Sequence, residues 1–295
     1  AVLMKREKLH KTTSFSISGA IIIFVLVLIA LITLYPFLYT LAGSFNDGTD
    51  FEKGGVWLFP RVFTLDNYTA VFSDYRLWIG LGNTVRRTVV GTAAALIVTS
   101  CVAYAMSQRE LPCKRFFRVY NVITMFFSGG IVPFFLVVNI LGLYDNFLVY
   151  ILPSLYSVYN MIVISTFFRG IGQGVREAAI LDGASEMRIW WSVFMPMSTP
   201  VLATVGLWIA VMHWNSYLPT LLYTSKDESM WTLQYYLMRI IKDAALPEGD
   251  AVNENVTAQT ISFAAMVIAM IPIVCVYPFL QKHFAKGAAL GSLKE

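Results

Sequence analysis

The chain has little charge. Of its 295 residues only 14% are Asp, Glu, Lys or Arg, against 57% hydrophobic and 15% aromatic. Soluble domains carry roughly 25% charged residues, so an integral membrane protein is the default class. The three cysteines, Cys101, Cys113 and Cys275, have no second Cys or His at metal-ligand spacing. They read as small apolar filler or inert thiols. No GxxxxGK[ST] loop is present to cradle a nucleotide phosphate. If ATP drives this molecule, the hydrolysis takes place on another polypeptide. No GxSG-like elbow is present to set a serine nucleophile beside a base, which argues against an intramembrane protease.

What the chain does have is apolar runs long enough to cross a bilayer, which takes about 20 residues of helix. Six qualify: Ile17–Ala42, Asn83–Ser107, Phe116–Leu141, Phe147–Phe168, Ser198–Leu218 and Ala258–Gln281. The first is too long for a signal-peptide core and has no small-x-small cleavage site after it, so a retained membrane helix is expected. Only helices and closed barrels satisfy every backbone group in lipid. Uninterrupted apolar runs exclude the alternation of barrel strands. The expected fold is therefore an all-α membrane protein with six transmembrane helices in one domain over residues 17–281. Tails at 1–16 and 282–295 flank it, with outer loops near 43–82 and 219–257.

Charge sets the orientation. The N-terminal tail carries Lys5, Arg6, Lys8 and Lys11, and the loop after the second run carries Arg109, Lys114, Arg115 and Arg118. The loop after the fourth run carries Arg169, Arg176 and Arg188, and the C-terminal tail carries Lys282, Lys286 and Lys294. These segments alternate onto one face and hold 14 of the 22 Lys and Arg. The positive-inside rule puts that face, and both termini, in the cytoplasm. Arg86 and Arg87 lie at the outer end of the second run, where long side chains snorkel to the interface; lining a pore is the other reading. On the outer side, Trp57, Phe59, Tyr68 and Trp78 read as interfacial anchors. Met230–Ala245 reads as a short helix along the outer surface, with Trp231, Tyr235 and Met238 near one face. Leu246–Asn255 reads as an exposed acidic loop.

No Asp, Glu or Lys lies near the middle of any run. A proton-coupled pump or antiporter usually needs such a group. The one ionisable group well inside a run is His213, either a hydrogen-bonded packing residue or a path-lining one. Pro36, Pro133, Pro153, Pro200 and Pro272 fall within runs, and Gly129–Gly130 with Pro133 weakens the middle of the third.

The segment Glu177–Pro196 is charged and broken by glycine between two apolar runs, so it lies in water at a membrane face. Gln173–Leu181 can form a short helix with Glu177 near its positive end. Gly183 stands where a helix stops and reverses, and Ser185 can cap a second piece reaching Phe194. Two short helices meeting at Gly183 would make a rigid elbow that passes force from a partner to the fourth and fifth runs.

These residues resemble the EAA motif of permease subunits of ATP-binding-cassette importers. Glu177-Ala178-Ala179, Asp182-Gly183-Ala184 and Pro196 match its pattern and spacing, and Ser185 follows the trio. The similarity extends through Phe63-Thr-Leu-Asp-Asn-Tyr68, Thr166-Phe167-Phe168 and Trp214-Asn215, which look like the carbohydrate-uptake branch. Ser225–Leu237 looks like permeases for oligosaccharides and polysaccharide fragments of the alginate or pectin type, alginate being the specific choice. One departure is Ile171-Gly172-Gln173-Gly174, where the family usually has Ile-Pro at the first helical position.

The resemblance implies a multi-pass protein of the bacterial cytoplasmic (inner) membrane that is not itself an enzyme. Its implied partners are a second homologous permease, two ATPase subunits carrying ATP and Mg2+, and an extracytoplasmic solute-binding protein. This chain would hold no cofactor, and no nucleic-acid partner is expected. The loop at about 169–197 would couple to the ATPase through Glu177, Ala178, Ala179, Asp182, Gly183, Ala184, Ser185 and Pro196. Candidate groups along a carbohydrate path are Trp208, His213, Trp214, Asn215, Tyr217, Asn121 and Asn160. For the tryptophans and Tyr217 an interfacial belt is the competing reading. A stand-alone secondary transporter or channel is the alternative to the whole assembly.

Overall fold

The computed structural model describes residues 17–244 and 256–291, with side chains for 19–242 and 256–276. The expected N-terminal basic tail, the loop Leu246–Asn255 and Lys294 lie outside the described residues, as do the side chains of Lys282 and Lys286. Among the described residues there is no strand, only one isolated bridge between Asn46 and Phe63.

Helix α1 (Ile17–Ser44) leads into a connecting region with α2 (Gly48–Glu52) and α3 (Asp66–Ser73). Next comes α4 (Tyr75–Ser107), the long central helix. Its start is fixed by Asp74, whose carboxylate accepts the Arg76 N–H at 2.9 Å. Then follow α5 (Lys114–Phe126), α6 (Ile131–Ile140) and α7 (Val158–Gly170), with 3-10 turns at Phe147–Tyr150 and Leu152–Ser154 before α7. The last group is α8 (Gln173–Leu181), α9 (Glu186–Ile189), α10 (Met195–Met197), α11 (Thr199–Asn215), α12 (Leu233–Ala244) and α13 (Ala258–Gly291).

Three helices, at Gly19–Ser44, Tyr75–Ser107 and Ala258–Val276, are each long and apolar enough to cross a membrane. The third and fourth expected runs are not continuous helices, and the fifth is the single helix α11, which begins at a sharp bend. The third breaks between α5 and α6 with a 114° bend, the fourth bends by 49° before α7, and Glu186–Met197 meets α11 at 87°. The first break falls on Gly129–Gly130, where Gly130 takes φ +84 as only glycine does readily. The second follows Pro153, and Ser157 restarts the helix by accepting the Asn160 N–H. The third falls at Ser198, between Pro196 and Pro200.

Helix α4 is the axis of the bundle, packed by α7, α11 and α12, while α13 packs on α1, α11 and α12. One apolar core joins α4, α7, α11 and the α9 region through Ala103, Phe168, Ile189 and Val205. A second joins α4, α12 and α13 through Leu77, Leu233, Tyr236 and Ala265. Helix α1 is exposed along most of its apolar length and packs on α13 toward its C-terminal end, through Tyr39 and Ala42.

The Leu-Asp-Asn-Tyr segment has a structural role. Asn67 is fully buried and donates to the carbonyls of Ser44 and Asn46, at 3.0 and 2.8 Å. It accepts from the Thr260 hydroxyl at 2.7 Å. It thus ties the end of α1 to the start of α13. Tyr68 bonds the Ser44 hydroxyl at 2.8 Å and packs against the second core. Trp57, Phe59 and Trp78 are exposed. The outer helix also differs from expectation. A 3-10 turn at Glu228–Met230 precedes it, and Leu233, Tyr236 and Leu237 bury it in the bundle, with Trp231 and Tyr235 buried as well.

Candidate functional site

The elbow is built by backbone geometry. Helix α8 ends in a Schellman arrangement: the Gly183 N–H bonds the Ile180 carbonyl at 2.9 Å, and the Ala184 N–H bonds the Ala179 carbonyl at 3.0 Å. Gly183 takes φ +78, a left-handed conformation that costs other L residues about 1–2 kcal/mol. Ala179 and Ala184 meet across the turn and both pack against the core of α4, α7 and α11. The outward side carries Glu177, Ile180, Leu181 and Asp182, and Leu181 is 88% exposed. Among the described residues Glu177 has no hydrogen-bond or ion-pair partner. It sits in the second turn of α8 rather than near its positive end, because the helix begins at Gln173. Ser185 holds the start of α9 through its carbonyl, which accepts the Ile189 N–H at 2.9 Å, while its side chain caps nothing. Five residues of π-helix, Trp190–Phe194, then carry the chain to Pro196.

A strut braces the elbow, and no motif in the sequence pointed to it. Arg176 of α8 pairs with Glu186 of α9 through two guanidinium nitrogens and reaches Glu110 at 3.2 Å. The Tyr104 hydroxyl of α4 donates to the same Glu186 carboxylate. Arg176 and Glu186 are ten positions apart in sequence, and only the reversal at Gly183 brings them together. Charge-assisted bidentate pairing is the stronger class of hydrogen bond. The bond from Arg176, then that from Tyr104, holds the Glu186 carboxyl below the usual carboxylate range, and the same pairing raises Arg176.

Trp208 and Asn160 share a cavity of about 490 Å³ between α7, α11 and the turns before α7. Tyr156, Tyr159, Ser154 and Ser157 complete its wall. The rings of Trp208 and Tyr159 lie 5.8 Å apart at 36°, both well exposed to the cavity side. Asn121 stands behind this wall: its amide donates to the Phe117 carbonyl at 2.8 Å, and its oxygen accepts from Tyr156. Asn215 is exposed and donates to the Val211 carbonyl, and Tyr217 is exposed beyond the end of α11.

His213 and Trp214 point into the bundle. The Trp214 indole donates to the Ala269 carbonyl of α13 at 3.2 Å. His213 is 1% exposed, with Nδ1 3.4 Å from Arg87 Nε and Nε2 3.5 Å from the Ser154 hydroxyl. Arg87 does not snorkel as expected; it is 3% exposed. Its guanidinium donates to the Ser216 carbonyl at 2.9 Å and lies 4.9 Å from the Tyr150 ring centre. The C-terminal end of α11 and an aromatic face replace water around this charge. Arg86 stays exposed, over the Phe147 ring.

Residues 91–289 match the family of binding-protein-dependent transport system inner membrane components. The chain belongs to that family. As a member it is a membrane subunit of a transport system that works with a separate binding protein. It is not an enzyme, and the ATPase is a separate subunit. It is 40% identical to Protein LplC of Bacillus subtilis over 266 residues, covering 89% of this chain and 90% of that protein. It is 38% identical to the polygalacturonan/rhamnogalacturonan transport system permease protein YtcP of the same organism, covering 91% and 95%. A chain in the crystal structure of a bacterial ABC transporter involved in the import of the acidic polysaccharide alginate superposes with TM-score 0.84. That match has 30% identity and covers 96% of this chain and 100% of that one.

Proposed function

We propose that this chain is one of two permease subunits of an ATP-driven importer for acidic oligosaccharides delivered by a binding protein. Uronate fragments of the pectin or alginate type are the substrate class. Two relatives named for acidic polysaccharides support this, together with the aromatic pair and polar side chains of the Trp208 cavity. The three continuous helices, the two bent pairs over residues 114–140 and 147–170, and α11 would make six spans over residues 17–281, with both termini and the loop at 169–197 in the cytoplasm. ATP and Mg2+ act on the ATPase partners.

The observation that carries the reading is the elbow. It presents Glu177, Ile180, Leu181 and Asp182 outward and has Ala179 and Ala184 seated on the core. An exposed Leu and Ile flanked by two carboxylates without a partner among the described residues suit, on a rigid turn, a partner cleft with an apolar floor and a basic rim. ATPase closure would press on the elbow. The Arg176–Glu186–Tyr104 strut would carry the motion to α4, and Ala178, Ser185 and Pro196 would keep the turn and its return to α11 in shape. Alternating access then follows as rigid-body movement of the bundle. Trp208, Tyr159 and Asn160 would line the path. Asn121 would hold Tyr156, His213 and Trp214 would fix the packing behind the path, and Asn215 and Tyr217 would face its outer end.

A photo-crosslinking residue at Leu181 in the assembled transporter tests this. The expected adduct is with the ATPase subunit, and it should weaken when ATP turnover is blocked in one state. Crosslinks only to lipid or to the second permease would contradict the docking role.

A further inference from the structure

A pocket of about 240 Å³ lies beside the elbow, where the end of α4, the start of α5, the end of α7 and the start of α8 meet. Four cations line it: Arg109, Lys114, Arg169 and Arg176. Among the described residues only Arg176 is neutralised, by Glu110 and Glu186. Among the described residues the other three have no carboxylate partner. Lys114 donates to the Gln108 carbonyl, and Arg169 donates to the hydroxyls of Ser165 and Thr166 at 2.9 and 2.7 Å. The charges of Arg118, Arg169 and Arg109 all repel that of Lys114. Like charges gathered in a half-enclosed pocket disfavour the arrangement unless an anion joins them.

The backbone adds donors at the same place. Gly172 and Gln173 line the pocket at the start of α8, and no side chain caps that helix. Its first N–H groups are therefore free for an anion. Gly172 takes φ +89, and a proline at the start of the helix would have removed one donor. The Ile-Gly-Gln-Gly departure thus has a physical consequence: it leaves the helix start open and fully supplied with N–H groups. Next to the pocket, the first turns of α5 interleave Lys114, Arg115 and Arg118 with exposed Phe116 and Tyr120. Cations beside exposed aromatic and apolar surface suit a headgroup whose acyl chains lie along the helix.

We propose that this pocket binds a phosphate group, supplied by an anionic phospholipid headgroup or by a soluble phosphate. The site is separate from the cavity at Trp208, and phosphate binding there does not depend on the substrate proposed above. With the pocket filled, the anion would link α5, α7 and α8 and steady the base of the elbow.

The full chain, delipidated in mild detergent, is titrated with phosphatidylglycerol, with zwitterionic phosphatidylcholine and with inorganic phosphate. Bound lipid is read by native mass spectrometry and bound phosphate by equilibrium dialysis. Wild type should prefer phosphatidylglycerol over phosphatidylcholine. Arg109→Gln and Arg169→Gln should each weaken binding about fivefold, the scale for one cation near an anionic headgroup. Arg109→Lys should restore it. Lys53→Gln, exposed at the other end of the bundle, should leave it unchanged. Arg109 is itself exposed, so its substitution tests the charge without disturbing the core. Inorganic phosphate bound by the same residues, with no preference between the lipids, would assign the soluble source. The proposal is overturned if wild type binds neither probe, or if the Gln variants bind as wild type does. Variants that lose only a co-purifying protein would likewise overturn it, in favour of a protein contact.

Discussion

Gly91 leaves the space that His213 fills. A Cβ on Gly91 would lie 2.5 Å from His213 Nε2 and 2.6 Å from Cε1. Arg87 Nε and the Ser154 hydroxyl stand 3.4 and 3.5 Å from its two nitrogens, so the ring would have to give up both contacts to retreat. Gly91→Ala should therefore destabilise the chain by about 1–3 kcal/mol, the usual scale of overpacking, and detergent melting would show it as a lower Tm. An unchanged Tm would mean that α4 and α11 can part at no cost. At the cavity, Trp208→Ala should raise the half-saturating substrate concentration about tenfold, or ~1.4 kcal/mol, with complex assembly intact; uptake assays at several concentrations would read it. His213 stood out in the sequence as the one ionisable group inside an apolar run, and its packing role was one of two open readings. Its partner Arg87 was not legible, since the two lie 126 positions apart and meet only once α4 and α11 are packed.

At the scale of elements, the elbow was the best-read part of the chain. The end of α8 and the reversal at Gly183 follow from local chemistry, because a positive φ after a helix selects glycine. The strut behind it was hidden, since Arg176 and Glu186 become neighbours only after that reversal. Its contribution depends on pH in a definite direction. The folded Glu186 carboxyl lies below its unfolded value of about 4.3. Its stabilisation is therefore present above that value and is lost as pH falls through the depressed one. Glu186 is half exposed, so the pair is screened, and its share is on the order of 0.5–1 kcal/mol. The Tm gap between wild type and Arg176→Gln should be constant near neutrality and close on acidification. A gap that widens in acid would contradict the bridge. The breaks in the apolar runs were only partly legible. Gly129–Gly130 marked one, but the 87° bend at Ser198 lies at the edge of its apolar run, where a hydropathy pattern carries no direction.

For the whole molecule, composition and charge sufficed to indicate a helical membrane bundle, and the motif around Glu177 and Gly183 sufficed to indicate the family. Neither could reveal that most of the apolar length of α1 is exposed among the described residues, while its C-terminal end packs on α13. An exposed apolar surface of this kind suits lipid or the second permease. Import of an acidic oligosaccharide would be driven by ATP through force received at the elbow. The most direct measurement is uptake of a labelled oligogalacturonate by the complete transporter in proteoliposomes, with ATP inside and binding protein outside. Wild type should show ATP-dependent uptake and little uptake of a neutral malto-oligosaccharide, and Gly183→Val should lose uptake at equal assembly. Uptake without ATP, or full uptake by Gly183→Val, would contradict this mechanism.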